Sequence, residues 1–288
     1  MKLSAFTFIK NGTLLGYPFI QSISSILPIV DEFIVNVGSS EDNTLAIIKE
    51  LNNPKIKVIE SSWNANMKER GYVYGQQKMI AQFNCSGDWA FYLEGDEVAH
   101  EDDLDKIRET CSKYLHNDKV EAITFDYVHF YGNANSYLDS PGWYRREARI
   151  IRNTIRSYAP DGLFWHVLTN NSKICRYPYA AHSNATIYHY GWVRSEKQMN
   201  LKSEKVQKYW DKAHKQINYS EIDQAIIKEF RGTHPKVIQN WLPREDGLFQ
   251  ADPDHKLTKR EKKHRFLLQI EKLLGVELSK KHFKQAKL

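Results

Sequence analysis

Apolar runs alternate with polar, helix-spaced stretches along roughly the first 190 residues. KLSAFTFI (2–9) combines β-branched and aromatic residues ahead of the Asn11-Gly12 turn signal, so it reads as a first strand. Apolar residues at helical spacing run from Leu14 to Leu27 and stop at Pro28. EFIVNVG (32–38) predicts a second, buried strand, and Ser40 or Asp42 can cap the helix TLAIIKEL that follows. KIKVIES predicts a third strand, Glu69–Phe83 a helix, DWAFYLE a fourth strand and Asp102–Leu115 another helix. Strands are expected again at 122–130 and 185–192, with a stretch rich in Tyr, Trp and Arg from the first of these to about residue 165, and a polar helical pattern begins at Ser195. Strands separated by helices at this spacing imply βαβ units: an α/β domain with a mostly parallel central sheet flanked by helices. The expected organisation is a catalytic and ligand-binding domain over 1–200 and a basic helical extension over 201–288.

Composition narrows this picture without redirecting it. Of 288 residues, 41% are hydrophobic and 26% charged, values of an ordinary folded protein. No run approaches the roughly 20 apolar residues of a membrane span, and the first residues lack the pattern of a secretion signal, so a cytosolic location is expected. Cys85, Cys111 and Cys175 have no CxxC spacing and suggest neither a disulfide framework nor a thiolate metal site. The net charge of +6 is unevenly spread: residues 255–288 hold eleven Lys and Arg against three acids, which leaves the rest slightly acidic. Within this tail FLLQIEKLLGVEL has helical spacing. A basic amphipathic helix can lie against an anionic membrane, here the inner face, or pack its apolar stripe on the domain.

The chemistry concentrates where the fourth strand ends, in YLEGDE (92–97). Parallel sheets bind ligands beyond the carboxyl ends of their strands. Glu94 and Asp96 flank one glycine there and can point into a common crevice. Acids in this place also suit the cap of the next helix. As hard oxygen ligands supplying part of a coordination shell, they suit Mg²⁺ or Mn²⁺ shared with a substrate's phosphates.

With that motif the sequence resembles the GT-A glycosyltransferases, especially those of glycosyltransferase family 2, which carry a DxD-type motif at this position. FTFIKNG is similar to their first strand and turn, FIVNVGSSEDNT to their second strand and loop, GDW to the residues before the motif, and IYHYGWVR to a later strand whose histidine can complete a metal site. The likeness covers roughly residues 1–200. It implies a nucleoside-diphosphate sugar as donor, a divalent Mn²⁺ or Mg²⁺ bridging its diphosphate, and a glycan or lipid-linked acceptor in cell-surface polysaccharide or lipopolysaccharide synthesis. By position, Asp96, Glu94 and His189 would be metal ligands. Asn11, Asp42, Lys78, Glu94, Asp96 and Arg194 would serve the donor, with Lys197 and Lys202 further cations beyond the histidine strand. The expected base for an inverting transfer is Asp161, with Glu147 second. Two departures stand out: Glu94 replaces the first Asp of the motif, and Val37 occupies a place where many relatives hold a base-contacting Asp, which leaves the nucleotide open. HFYGNANSYLDSPGWYRREAR, with its aromatics and arginines, could form the acceptor site. A nucleotidyltransferase predicts a glycine-rich basic loop after the first strand, which IKNGTLLG supplies poorly. A nucleic-acid binder would rest on the basic tail alone, and no nucleic-acid partner is expected.

Overall fold

The computed structural model describes residues 1–169, 173–211, 213, 216–244 and 247–288. Its first half is a βα alternation: β1 (Leu3–Ile9), α1 (Phe19–Ile26), β2 (Glu32–Gly38), α2 (Thr44–Glu50), β3 (Ile56–Ser61), α3 (Tyr72–Phe83), β4 (Trp89–Tyr92), β5 (Glu97–Ala99) and α4 (Leu104–Lys113). Long strands follow in β6 (Ala122–Tyr131), β7 (Asn133–Leu138) and β8 (Arg146–Arg152). The short strands β9 (Ser157–Tyr158), β10 (His166–Leu168) and β11 (Cys175–Arg176) form a small sheet of their own. The chain then runs through β12 (Tyr179–Trp192), α5 (Glu196–Gln207), β13 (Ile227–Glu229), α6 (Lys259–Leu274) and β14 (Lys284–Gln285).

The main sheet has the order β13-β7-β6-β8-β4-β1-β2-β3, with β12 on β6. Pairing is parallel through β3, β2, β1 and β4. It turns antiparallel where β8 inserts between β4 and β6. The sheet is thus parallel where the βα alternation predicts it and mixed beyond the acidic motif. β2 lies inside the sheet and is buried along its whole length, which explains its unbroken apolar run. Its neighbour β3 is the edge and is only half-buried.

The first helix begins at Phe19 instead of Leu14. Asn11 adopts φ 56, and the Leu15 and Tyr17 amides donate to Asn11 and Gly12 carbonyls at 2.9 and 2.8 Å, so residues 11–17 form a turn that enters the helix through Pro18. The 185–192 strand extends back to Tyr179, with its register on β6 shifting between His182 and Thr186 and again between His189 and Trp192. The segment 201–288 contributes β13 and β14 to the main sheet. α6 carries a complete capping box between Thr258 and Glu261 and ends at Gly275 with φ 64, a left-handed conformation that favours glycine. It docks through Arg145–Glu271 (2.8 Å) and Arg265–Asp223 (2.6 Å) ion pairs and through Leu268. Its outer surface leaves Phe266, Leu273 and Leu274 exposed among Lys259, Arg260, Lys262 and Lys263. No helix among the described residues is long and apolar enough to cross a membrane.

Candidate active site

A cavity of about 420 Å³ opens at the carboxyl ends of β1 and β4. β1 supplies Phe8 and Ile9 and its continuation Lys10 and Asn11; β4 runs out through Glu94, Gly95 and Asp96; Asp161 and His189 add to the wall; and Lys202, Lys205, Lys208, Tyr209 and Trp210 come from α5 and the turn behind it.

Sheet register explains how distant residues meet here. β5 pairs antiparallel with β12, setting Glu97 opposite His189, while β6 pairs parallel with β12, setting His129 opposite His189. The Tyr190 amide also donates to the Asp96 carbonyl at 2.8 Å, fixing the motif against the histidine strand. As a result Asp96 Oδ1 lies 3.7 Å from His189 Nε2, too far for a hydrogen bond. Gly191 keeps this corner open: a Cβ there would fall 2.5 Å from His189 Nε2 and 3.1 Å from Asp96 Oδ2.

Asp96 is nearly fully buried, and its other oxygen accepts from Arg194 and Lys202, each at 3.1 Å. Burial alone would raise its carboxyl pKa; the charges of Lys202, His189 and Arg194 outweigh this and hold it well below the usual carboxylate range. His189 moves down from the ordinary imidazole value because burial outweighs the pull of Asp96.

Glu94 behaves differently. Fully buried Arg149 bonds Glu94 Oε1 at 3.0 Å and Glu97 at 2.6 and 3.0 Å, so one guanidinium serves two carboxylates. Burial, and then the charge of Glu97, push the Glu94 carboxyl up to about 8, with Arg149 offsetting only part of this. Tyr127 donates to Glu97 at 2.8 Å.

The donor set of Asp96 and His189 fits a small divalent cation. With metal–ligand bonds of about 2.0–2.2 Å, two ligand atoms of one ion lie roughly 3–4 Å apart, and the observed 3.7 Å is in that span. Glu94 does not join them as a third close ligand. Among the described residues, the one trio with ligand atoms within 4.8 Å of one another is His100, Glu101 and Asp102, where His100 Nδ1 already accepts from the Asp102 amide.

The other expected site residues divide between the cavity and the structure behind it. Asn11 lines the cavity and accepts from the Glu41 amide at 2.7 Å. Asp42 is turned away, accepting from the Leu14 amide (2.7 Å) and the Thr44 hydroxyl (2.5 Å), and Glu41 forms the wall in its place. Lys78 lies fully buried behind the wall, with Nζ 3.1 Å from the Leu163 carbonyl and 3.6 Å from the Trp165 ring centre. Burial and the neighbouring Arg149 lower its pKa well below the ordinary value. Arg194 also stands behind the wall, bonded to the Leu15 carbonyl and Asp96. Asp161 lines the cavity and accepts from the Leu163 amide at 2.8 Å. Glu147 does not line it: the residue is fully buried and paired with His282 at 2.5 Å, a partner 135 residues away that no local pattern reveals.

Sequence reasoning passes over the aromatic end of the cavity. Trp63, Tyr74 and Tyr209 meet edge to face with ring centres 5.3–5.8 Å apart. Trp63 Nε1 and the Tyr74 hydroxyl are buried with no hydrogen-bond partner among the described residues. α5 is strapped across this end: Lys205 pairs with Glu41 at 2.8 Å, and the Tyr209 carbonyl accepts from the Gly71 amide at 2.8 Å.

The family model described as glycosyl transferase family 2 matches residues 18–164. An uncharacterized glycosyltransferase of Rickettsia felis is 35% identical over 106 residues, 37% of this chain and 32% of its own length. One from Rickettsia typhi is 28% identical over 171 residues, 57% of this chain and 53% of its own length. The chain therefore spans about a third to a half of these curated relatives. Among solved structures, S. aureus TarS 1–349 in complex with UDP aligns at 18% identity and TM-score 0.36, covering 53% of this chain and 47% of that one. Glucosyl-3-phosphoglycerate synthase from Mycobacterium tuberculosis, in complex with Mn²⁺, UDP and phosphoglyceric acid, aligns at 18% and 0.33, covering 44% and 43%.

Proposed function

The chain belongs to glycosyl transferase family 2, and from that premise we propose that it moves a sugar from a nucleoside-diphosphate donor to a hydroxyl of a glycan or lipid-linked acceptor, with inversion, in cell-surface polysaccharide or lipopolysaccharide synthesis. The observation that carries this reading is the pair of buried Asp96 and half-buried His189, 3.7 Å apart, in a cavity walled by four lysines and an aromatic cluster.

Asp96 and His189 would hold Mn²⁺ or Mg²⁺, which when bound supplies charge neutralisation to the departing diphosphate. Lys202, Lys205 and Lys208 add positive charge from α5 and the following turn for the phosphate oxygens. Trp63, Tyr74 and Tyr209 offer ring faces and edges for the base. Asp161 accepts the acceptor hydroxyl's proton as that oxygen bonds to the anomeric carbon and the bond from this carbon to the diphosphate oxygen breaks. The exposed apolar residues of α6, set among lysines, support contact with an anionic membrane face where a lipid-linked acceptor would reside.

The test is a thermal-shift screen of UDP-, GDP-, CMP- and dTDP-sugars with and without Mn²⁺. The expected result is stabilisation by one nucleotide class that requires Mn²⁺ and disappears in Asp96→Ala. No metal-dependent stabilisation by any of them, with Asp96→Ala behaving like the parent, counts against the reading.

A further inference from the structure

His129 is buried on β6 directly opposite His189 and outside the cavity lining, and its two ring nitrogens face different partners. Nε2 lies 2.7 Å from the Tyr144 carbonyl oxygen, and Nδ1 lies 3.1 Å from His189 Nδ1. A carbonyl only accepts, so His129 Nε2 carries the hydrogen. His129 is buried with no carboxylate within ion-pair distance among the described residues, so a charged ring would stand there without a counter-charge, and the neutral ring keeps a lone pair on Nδ1. A 3.1 Å contact between two nitrogens needs one hydrogen between them, and only His189 Nδ1 can supply it. In the neutral form that ligates a metal, His189 then has no hydrogen on Nε2, and the lone pair of Nε2 is the one on the Asp96 side.

We propose that His129 is a positioning residue that fixes His189 in the Nδ1–H tautomer, so that its Nε2 lone pair is presented beside Asp96 as a ready cation ligand. This inference rests on the metal-binding reading above. The chain Tyr144 carbonyl, His129, His189 is an outer shell that sets ring orientation and tautomer without touching substrate. Tyr127 and Tyr144 pack on the His129 ring at 5.3 and 4.6 Å between ring centres, which holds it in register.

Two measurements on the full chain separate this inference from the reading it rests on. Long-range ¹H–¹⁵N NMR of the metal-free protein reports the His189 tautomer directly: hydrogen on Nδ1 is expected, and hydrogen on Nε2 overturns the proposal whether or not a metal binds. The second is Mn²⁺ affinity, read from the EPR signal of free Mn²⁺ in the presence of UDP and of GDP. His129→Phe keeps the ring but loses both nitrogens and is expected to weaken Mn²⁺ binding about 10- to 100-fold. His129→Asn places an oxygen near the lost Nδ1 and is expected to restore most of that affinity. Parent affinity in His129→Phe, while Asp96→Ala has lost binding, overturns the role of His129. Unchanged affinity in Asp96→Ala removes the metal site itself and leaves the tautomer measurement to decide the remainder.

Discussion

At the scale of single residues, the site depends on two carboxylates two positions apart being given opposite surroundings. Asp96 is surrounded by cations and stays ionised, while Glu94 shares Arg149 with Glu97 and is pushed up to about 8. A carboxyl whose folded pKa is raised binds more protons folded than unfolded between its ordinary 4.5 and about 8, so stability falls as pH rises through that window. Glu94→Gln removes this loss, and its melting temperature relative to the parent should therefore climb from about pH 5 to about pH 8. A constant or falling difference contradicts the assignment. Arg149→Met leaves Glu97 buried without its main partner and should cost about 3–5 kcal/mol in denaturant unfolding. Gly191→Ala drives a methyl against His189 Nε2 and should lower Mn²⁺-dependent transfer at least about tenfold, as a misplacement near 1 Å at a reacting centre can. The EGDE motif was legible because Glu94 and Asp96 flank one glycine at the end of a buried strand, where a parallel sheet places its ligands. Arg149's double role, His129 and the Glu147–His282 pair were not, since each depends on register or contacts between residues far apart in sequence.

At the scale of elements, α5 works as a wall held by charge. Ser195 caps it, Lys202 reaches Asp96, and Lys205 reaches Glu41 from the next turn. Lys205→Ala removes one strap and one cation of the cavity wall. It should raise KM for the donor several-fold with little effect on melting temperature, since the pair is largely solvent-exposed. An unchanged KM would show that this lysine is only a surface charge. The helical pattern after Ser195 was plain in the sequence, as were the parallel strands with their continuous apolar runs. The late start of α1 was hidden because residues 11–17 carry apolar side chains at helical spacing, while Asp42 and the positive φ of Asn11 pull their backbone into a turn.

At the scale of the whole molecule, the parallel half of the sheet builds the site's rim and the antiparallel half brings β12 and its histidine back to it. The charge asymmetry of the chain is also realised in space, because α6 uses Leu268, Glu271 and Arg265 for docking and turns Phe266, Leu273 and four cations outward. Sequence offered two uses for this helix, and the structure shows how it can dock while keeping an apolar, cationic face. Vesicles containing phosphatidylglycerol should sediment the protein, less so as salt is raised, and the pair Phe266→Asp and Leu273→Asp should abolish this. Equal sedimentation with neutral phosphatidylcholine vesicles would argue against an electrostatic membrane contact.

The central claim is that Asp96 and His189 together grip a cation that in turn holds a diphosphate. A crystal soaked with Mn²⁺ and a nucleoside diphosphate, measured at the manganese absorption edge, tests it most directly. An anomalous peak bridging Asp96 Oδ1, His189 Nε2 and the phosphate oxygens is the predicted result. A diphosphate bound in the cavity with no peak at that pair, or with the manganese at His100, Glu101 and Asp102 instead, contradicts it.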